Sequence, residues 1–153
     1  MKTMRRKDRE ITRLEAEEIL ENGLYGVLST IGEDGQPYGV PLSYTYKNAC
    51  IYFHCAAEGH KIENLQANPR VSFCVVGNTR VIPAERTVKY ESAIAFGVAS
   101  EVQGPEKDDA LLALLEKYSA EYIEEGKTVI AKNGKTTTVI KIEIHHISGK
   151  AQR

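Results

Sequence analysis

The chain has 153 residues, 42% of them hydrophobic and 27% charged, with a formal net charge of −1 at pH 7. That is the size of one domain around one core, and so small a net charge gives no electrostatic case for nucleic acid or for a membrane surface as a partner. Cys50, Cys55 and Cys74 are odd in number and lack C-x-x-C spacing, which argues against disulfides and a structural zinc site. There is no apolar leader and no run long enough to span a bilayer, so the expected location is cytoplasmic.

The whole chain, 1–153, reads as a single domain, with residues 1–10, which hold the only basic run, as a solvated arm. Thr12 and Glu15 have the T-x-x-E spacing of a capping box, so a helix is expected to start there and to stop at Gly23. Leu24–Thr30 reads as a strand, and the Asp34-Gly35 turn returns the chain through a strand at Tyr38–Tyr46, where Val40, Leu42, Tyr44 and Tyr46 alternate with smaller residues. Pro41 cannot donate to a ladder and marks an edge, a bulge or a ligand-facing break. A turn at Lys47-Asn48 leads to a strand at Ile51–Ala56, then a helix from His60 to Ala67 that Asn68-Pro69 stops. Val71–Val76 is the next strand and Gly77–Thr87 a long loop, expected to cover something or contact a partner.

Tyr90–Val102 is a long strand, with Gly97 as a bend or a point of close approach. Pro105 opens a helix that Gly126 is expected to end; its leucines and tyrosines clothe more of its circumference than one buried face needs. A polar stretch, Lys127–Lys135, with an Asn133-Gly134 turn, leads to a last strand at Thr138–Ile147. Six strands and three helices make an α+β chain on a mainly antiparallel sheet, closed as a small barrel or a sandwich.

There is no G-x-S-x-G, H-E-x-x-H, P-loop or G-x-G-x-x-G. His60 and Lys61 fall in the first turn of their helix, where amides are unpaired and a cation is disfavoured by roughly 0.3–1 kcal/mol. A phosphate there would satisfy amides, lysine and histidine together. The alternative is that both side chains reach water and Glu58 or Glu63 neutralises them. His145 and His146 are strand neighbours that point to opposite faces and cannot chelate one ion. His54 precedes the small residues Cys55, Ala56 and Ala57, which leave room for a ligand, although a lone histidine is more often structural. A Cys55–His54 nucleophile is disfavoured because sequential strand residues face apart.

The succession YGVLST, PYGVPLSY, IYFHCAAEGHKIENLQANPRVSF and YESAIAFGVASEV resembles the FMN-binding split-barrel proteins related to pyridoxamine 5′-phosphate oxidase. The closer likeness is to their nitroimidazole-resistance branch, whose MRRKDREI-like opening matches Met4–Ile11. The most specific part is H-x-A-x-x-G-x-K followed by N-P-x-V-x-F, here His54, Ala56, Gly59, Lys61, Asn68, Pro69, Val71 and Phe73.

The resemblance implies a six-stranded split β-barrel with about three helices, a homodimer, and FMN at the subunit interface. It implies that Gly59, His60 and Lys61 hold the phosphate, and that Val27, Leu28, Ser29 and Thr30 run along the ribityl chain and ring. Pro41, Leu42 and Ser43 would lie against the isoalloxazine, His54, Cys55 and Ala56 beside the flavin with His54 as a catalytic candidate, and Thr87 and Tyr90 would come from the partner. The chain departs from the oxidases at Tyr25 and Thr30, where they carry arginine and lysine, and at its last residues, HISGKAQR, so a substrate other than pyridoxamine phosphate is expected. The function implied is FMN-dependent, NAD(P)H-linked reduction of a small acceptor such as a nitroaromatic. The alternatives are a non-catalytic flavin-binding module, a barrel that holds haem (on His54 or His145) or a deazaflavin, and a structural dimer without a cofactor.

Overall fold

The computed structural model describes residues 1–153. Helix α1, Arg13–Asn22, begins at a complete capping box: the Glu15 amide donates to Thr12 Oγ1, and the Thr12 amide donates to Glu15 Oε2 at 2.9 Å. Gly23 ends it as expected. Strands β1 (Gly26–Ile31) and β2 (Pro37–Leu42) form the expected hairpin, and β3 (Thr45–Lys47) pairs with β4 (Cys50–Cys55). Helix α2, His60–Ala67, has the bounds that the sequence indicated. Long strands β5 (Arg70–Ile82), β6 (Thr87–Val102) and β7 (Thr138–Gln152) form the middle of the sheet, and helices α3 (Gly104–Tyr118) and α4 (Ile123–Asn133) lie between β6 and β7 in sequence.

All seven strands pair antiparallel in the order β2-β1-β5-β6-β7-β4-β3. The two edge strands, β2 and β3, are consecutive in sequence with only Ser43 and Tyr44 between them. In a flat sheet six strand spacings would separate them by roughly 29 Å, whereas the link from Leu42 to Thr45 spans at most about 11 Å. The sheet therefore has to curl until its edges meet, which gives a barrel split along one seam.

Tyr44 fills that seam. It is fully buried, packs edge-on against Phe73 at 4.8 Å, and its hydroxyl donates to the Leu20 carbonyl. The barrel interior is apolar, with Leu28, Ile51, Phe53, Phe73, Val75, Ala95 and Ile142 all inaccessible, and each large side chain among them contributes about 1.5–3 kcal/mol by burial. A second cluster on the outer side joins Tyr52, Val102 and Val139 to Ala110 and Leu111 of α3, so β7 is covered on both faces at that end.

Three expectations are corrected. The Tyr38–Tyr46 strand breaks at Ser43-Tyr44, where the chain crosses from one sheet edge to the other, which makes seven strands rather than six. Gly77–Thr87 is not a loop: β5 and β6 continue past a bulge at Val76/Thr79 as a two-stranded arm, paired through Thr79–Tyr90, Arg80–Lys89 and Val81–Val88. Gly126 does not end a helix; α3 stops at Tyr118, and α4 carries Gly126 within it, which makes four helices rather than three. Residues 1–10 are mostly exposed, with Arg6 paired to Asp8 at 2.6 Å within this N-terminal arm; its end meets β7, where Glu10 bridges to Lys150 and the Ile11 amide donates to the Gly149 carbonyl at 3.2 Å. Gly97 does lie at a point of close approach, at a β6–β7 bulge where a Cβ would fall 2.1 Å from the Glu143 carbonyl oxygen.

Candidate functional site

Helix α2 caps one end of the barrel, and a polar chain fixes its rotation. Asn64, 4% exposed, donates from Nδ2 to Thr30 Oγ1 at 2.9 Å, and the Thr30 hydroxyl reaches the Tyr38 carbonyl at 3.5 Å. These contacts tie the helix to β1 and β2 and place the His60 ring on the Tyr38 ring at 4.0 Å. Neither Asn64 nor Tyr38 was singled out by sequence. The period-two alternation that puts Tyr38 on the side of Val40 and Leu42 was a signal for it, but nothing local marks Asn64 as buried.

The N-terminus of α2 differs from that of α1. Gly59 is its cap, at φ +140°, where a side chain is strained, and no side chain bonds the free amides that follow. His60 is exposed and Lys61 half-buried, with the Lys61 amine 6.0 Å from the Phe53 ring. Neither is in any of the chain's ion pairs, so Glu58 and Glu63 do not neutralise them. Free amides, an unpaired ammonium and an imidazole on one exposed turn fit a phosphate group chemically.

The other expected residues fall into three places. On β1 and β2, Val27, Ser29 and Pro41 face outward, whereas Leu28 and Thr30 are buried inside the barrel and Leu42 packs against its core, so these three offer a ligand only their backbone. Cys55 packs against the core and burial raises its thiol pKa, with Lys61 acting in the opposite direction; Ala56 is exposed beside it.

Ser43 and His54 open together on a cavity of about 500 Å³ bounded by α3 and α4. Sequence reasoning missed these two helices as walls. The end of α3 is held against the seam by Tyr118, whose hydroxyl accepts from the Tyr44 amide at 3.0 Å and lies 2.8 Å from the Leu24 carbonyl, and by Lys117, whose amine sits 3.9 Å over the Tyr44 ring and donates to its carbonyl. Burial lowers the Lys117 pKa to about 8.

Thr87 and Tyr90 lie on the arm. Thr87 Oγ1 accepts from Gln152 at 2.9 Å, and Tyr90 meets Arg9 at 3.5 Å and has Lys150 over its ring. They do not join His54 within one chain. His54 pairs with Val139 and Val139 with Val102, so Tyr90 stands twelve residues (102 − 90) away on β6, roughly 40 Å of strand. His145 is the extra residue of the β7 bulge, exposed and 3.9 Å from Glu143.

A seven-stranded antiparallel sheet closed on itself by a two-residue seam, with helices over one end and one side, defines an α+β split barrel. The chain belongs to the pyridoxamine 5′-phosphate oxidase family, whose model matches residues 12–151. Among solved structures it is similar to an FAD-binding protein from Mesorhizobium loti, at 25% identity and TM-score 0.68 over 95% of this chain and 98% of that one. It is also similar in fold to a candidate 5-nitroimidazole antibiotic resistance protein from Bacteroides thetaiotaomicron (23%, TM-score 0.75, 93% and 86%). A third structure with this fold is an FAD and haem binding protein from Mycobacterium smegmatis (17%, TM-score 0.82, 95% and 74%). No curated protein matches the chain. No helix is long and apolar enough to cross a membrane, and no cluster of three or more potential metal ligands is present.

Proposed function

We propose that the protein is an FMN-dependent oxidoreductase that acts as a homodimer, taking electrons from NADH or NADPH and passing them to a small acceptor of the nitroaromatic kind. The observation that carries this reading is the uncapped N-terminus of α2, with Lys61 unpaired beside it, in a chain of this family. In this reading Lys61, His60 and the first amides of α2 hold the FMN phosphate, and Gly59 leaves the space for it. Val27, Ser29 and Pro41 lie along the flavin with the backbone of Leu28, Thr30 and Leu42, and Cys55 and Ala56 border it. When bound, the flavin supplies the redox chemistry, and the chain supplies binding, orientation and a dry surface. His54, with Ser43 beside it at the cavity, orients the acceptor and holds a proton for it. Thr87 and Tyr90 complete the site from a second copy.

A second reading, a barrel that holds haem, is favoured by the Mycobacterium smegmatis neighbour, and His54 is then the ligand candidate because it opens on the cavity. The visible spectrum of the purified protein separates the two. Two flavin bands, FMN in the supernatant after heating, and bleaching by NADH or NADPH are expected. A Soret band would transfer the case to haem, and a colourless protein that takes up no added FMN would overturn the oxidoreductase reading.

A further inference from the structure

The cavity beside His54 has a chemical character of its own. Thirteen residues line its 500 Å³, and none of them is aspartate, glutamate, lysine or arginine. Leu111, Leu114 and Leu115 form one wall, and Val129 and Ile130 the other. Lys117, at this end of α3, is turned onto the Tyr44 ring and carbonyl instead. Polar side chains come from both sides: Thr137 donates its hydroxyl to the Asn133 carbonyl at 3.1 Å and the Tyr118 hydroxyl is bonded at the seam, which leaves Ser43, His54, Ser119 and the Asn133 side chain to recognise a ligand. An anion entering this space would lose water and find no counter-charge. An uncharged ring with one or two hydrogen-bonding atoms would exchange apolar surface for apolar surface.

Gly126 sets the width of the cavity. A Cβ at this position would fall 2.2 Å from Leu115 Cδ1 and 2.6 Å from Cδ2, so α4 approaches α3 closely only because residue 126 has no side chain. Leu115 is itself a lining residue and the mobile end of that contact, and a methyl at 126 drives it into the cavity.

We infer that the α3–α4 cavity is the acceptor subsite of the proposed enzyme, that it admits uncharged ring compounds and rejects phosphorylated or carboxylated ones, and that Gly126 is the residue that determines the size it accepts. This rests on the proposed function for the word acceptor, but the binding selectivity does not require a flavin.

The test uses a matched pair of fluorescent probes, N-phenyl-1-naphthylamine, which is neutral, and 1-anilinonaphthalene-8-sulfonate, which has the same rings and a sulfonate. Each is titrated into the full chain with and without added FMN. The neutral probe is expected to bind at least about tenfold tighter, and nitrobenzene, not 4-nitrobenzoate, to displace it. Gly126→Ala is expected to weaken the neutral probe by about tenfold while nitrobenzene, being smaller, still binds. Val129 is 56% exposed, so Val129→Lys keeps the fold and brings a cation to the wall; it is expected to shift the preference toward the sulfonate.

Equal affinity of the wild type for both probes would overturn the charge selectivity. Insensitivity to both substitutions would place the probe elsewhere and overturn the subsite, as would loss of probe binding at the concentration where the chain dimerises, which would give the cavity to the second copy. Selective probe binding in a protein that takes up no FMN would keep the cavity assignment and overturn the oxidoreductase reading alone.

Discussion

Lys61 gives the phosphate assignment a test with two opposite signs. Without a ligand, its ammonium sits in the first turn of α2, beside unpaired amides and the positive end of the dipole, in none of the chain's ion pairs. That placement costs the folded state roughly 0.3–1 kcal/mol, so Lys61→Gln is expected to stabilise the ligand-free protein by about that amount. With FMN bound, the same side chain donates a charge-assisted hydrogen bond to the phosphate, worth about 1.5–3 kcal/mol, so the substitution is expected to weaken FMN by roughly 10- to 150-fold. Riboflavin has the ring and ribityl chain without the phosphate and serves as the internal control; its affinity is expected to stay the same. Urea unfolding of the apoprotein gives the first number, and flavin fluorescence quenching gives the other two. A destabilised apoprotein, or equal losses for FMN and riboflavin, would refute the reasoning, because either would mean that Lys61 supports the fold or the ring instead of the phosphate.

Asn64→Ala removes the bond that ties α2 to Thr30, leaves a buried hydroxyl short of a partner, and is expected to cost about 1–3 kcal/mol in chemical denaturation, with weaker FMN binding although Asn64 touches no ligand in the proposed site. For Lys117, burial lowers the folded-state pKa to about 8 from an ordinary 10.5, so between those two pH values the unfolded chain holds a proton that the folded chain has released. Stability due to this residue therefore rises with pH across that window. Wild type is expected to gain stability relative to Lys117→Met between pH 8 and 10, read by urea titration at each pH, and a flat difference would contradict the assignment. Ala49 holds φ +59° in the β3–β4 turn, a left-handed conformation that an alanine adopts under strain; Ala49→Gly is expected to stabilise the fold by about 0.5–1 kcal/mol, seen as a higher Tm.

What sequence made legible here was local. The capping box at Thr12 and Glu15, the bounds of α2 between Gly59 and Pro69, and the Asp34-Gly35 hairpin are each set by residues within one turn of each other, and each formed as read. What it hid depended on partners distant in the chain. The arm reads as a loop because Gly77, Asn78, Pro83 and Glu85 are poor strand formers, and these residues do fall in the bulge and in the turn at the tip; it is Thr79–Ile82 between them that pairing with Thr87–Tyr90 draws into the sheet. Gly126 reads as a stop by propensity, and its real reason is the Leu115 side chain eleven residues earlier (126 − 115). The candidate site divides in the same way: Gly59, His60 and Lys61 share one turn and were found together, whereas Asn64, which positions them, and the leucines facing His54 become visible only when α2 and α3 have docked. Outward-facing Val27 and Ser29 and inward-facing Leu28 and Thr30 could have been separated from the period-two alternation alone.

The length of β6 puts a condition on the proposed active unit. His54, on β4, is in register through Val139 with Val102 at one end of β6, and Tyr90 lies twelve residues (102 − 90) back toward the other end, roughly 40 Å of strand, farther than a side chain reaches. A site that uses both residues therefore needs two chains, and a two-fold pair would make two such sites, each taking His54 from one copy and Tyr90 from the other. Mixing His54→Ala chains with Tyr90→Ala chains discriminates this from a site built within one chain. In a mixed dimer the crossed arrangement places both substitutions in one site and leaves the other intact. Random exchange makes half of the dimers mixed, so about a quarter of the wild-type sites are expected to return from two inactive parents. If the site were intrachain, every site in every dimer would carry one substitution and activity would stay at the level of the parents. Recovery would thus locate the arm in the neighbour's site, and its absence, with dimer exchange verified by mass, would remove Thr87 and Tyr90 from the proposal while leaving Lys61 and His54 in place.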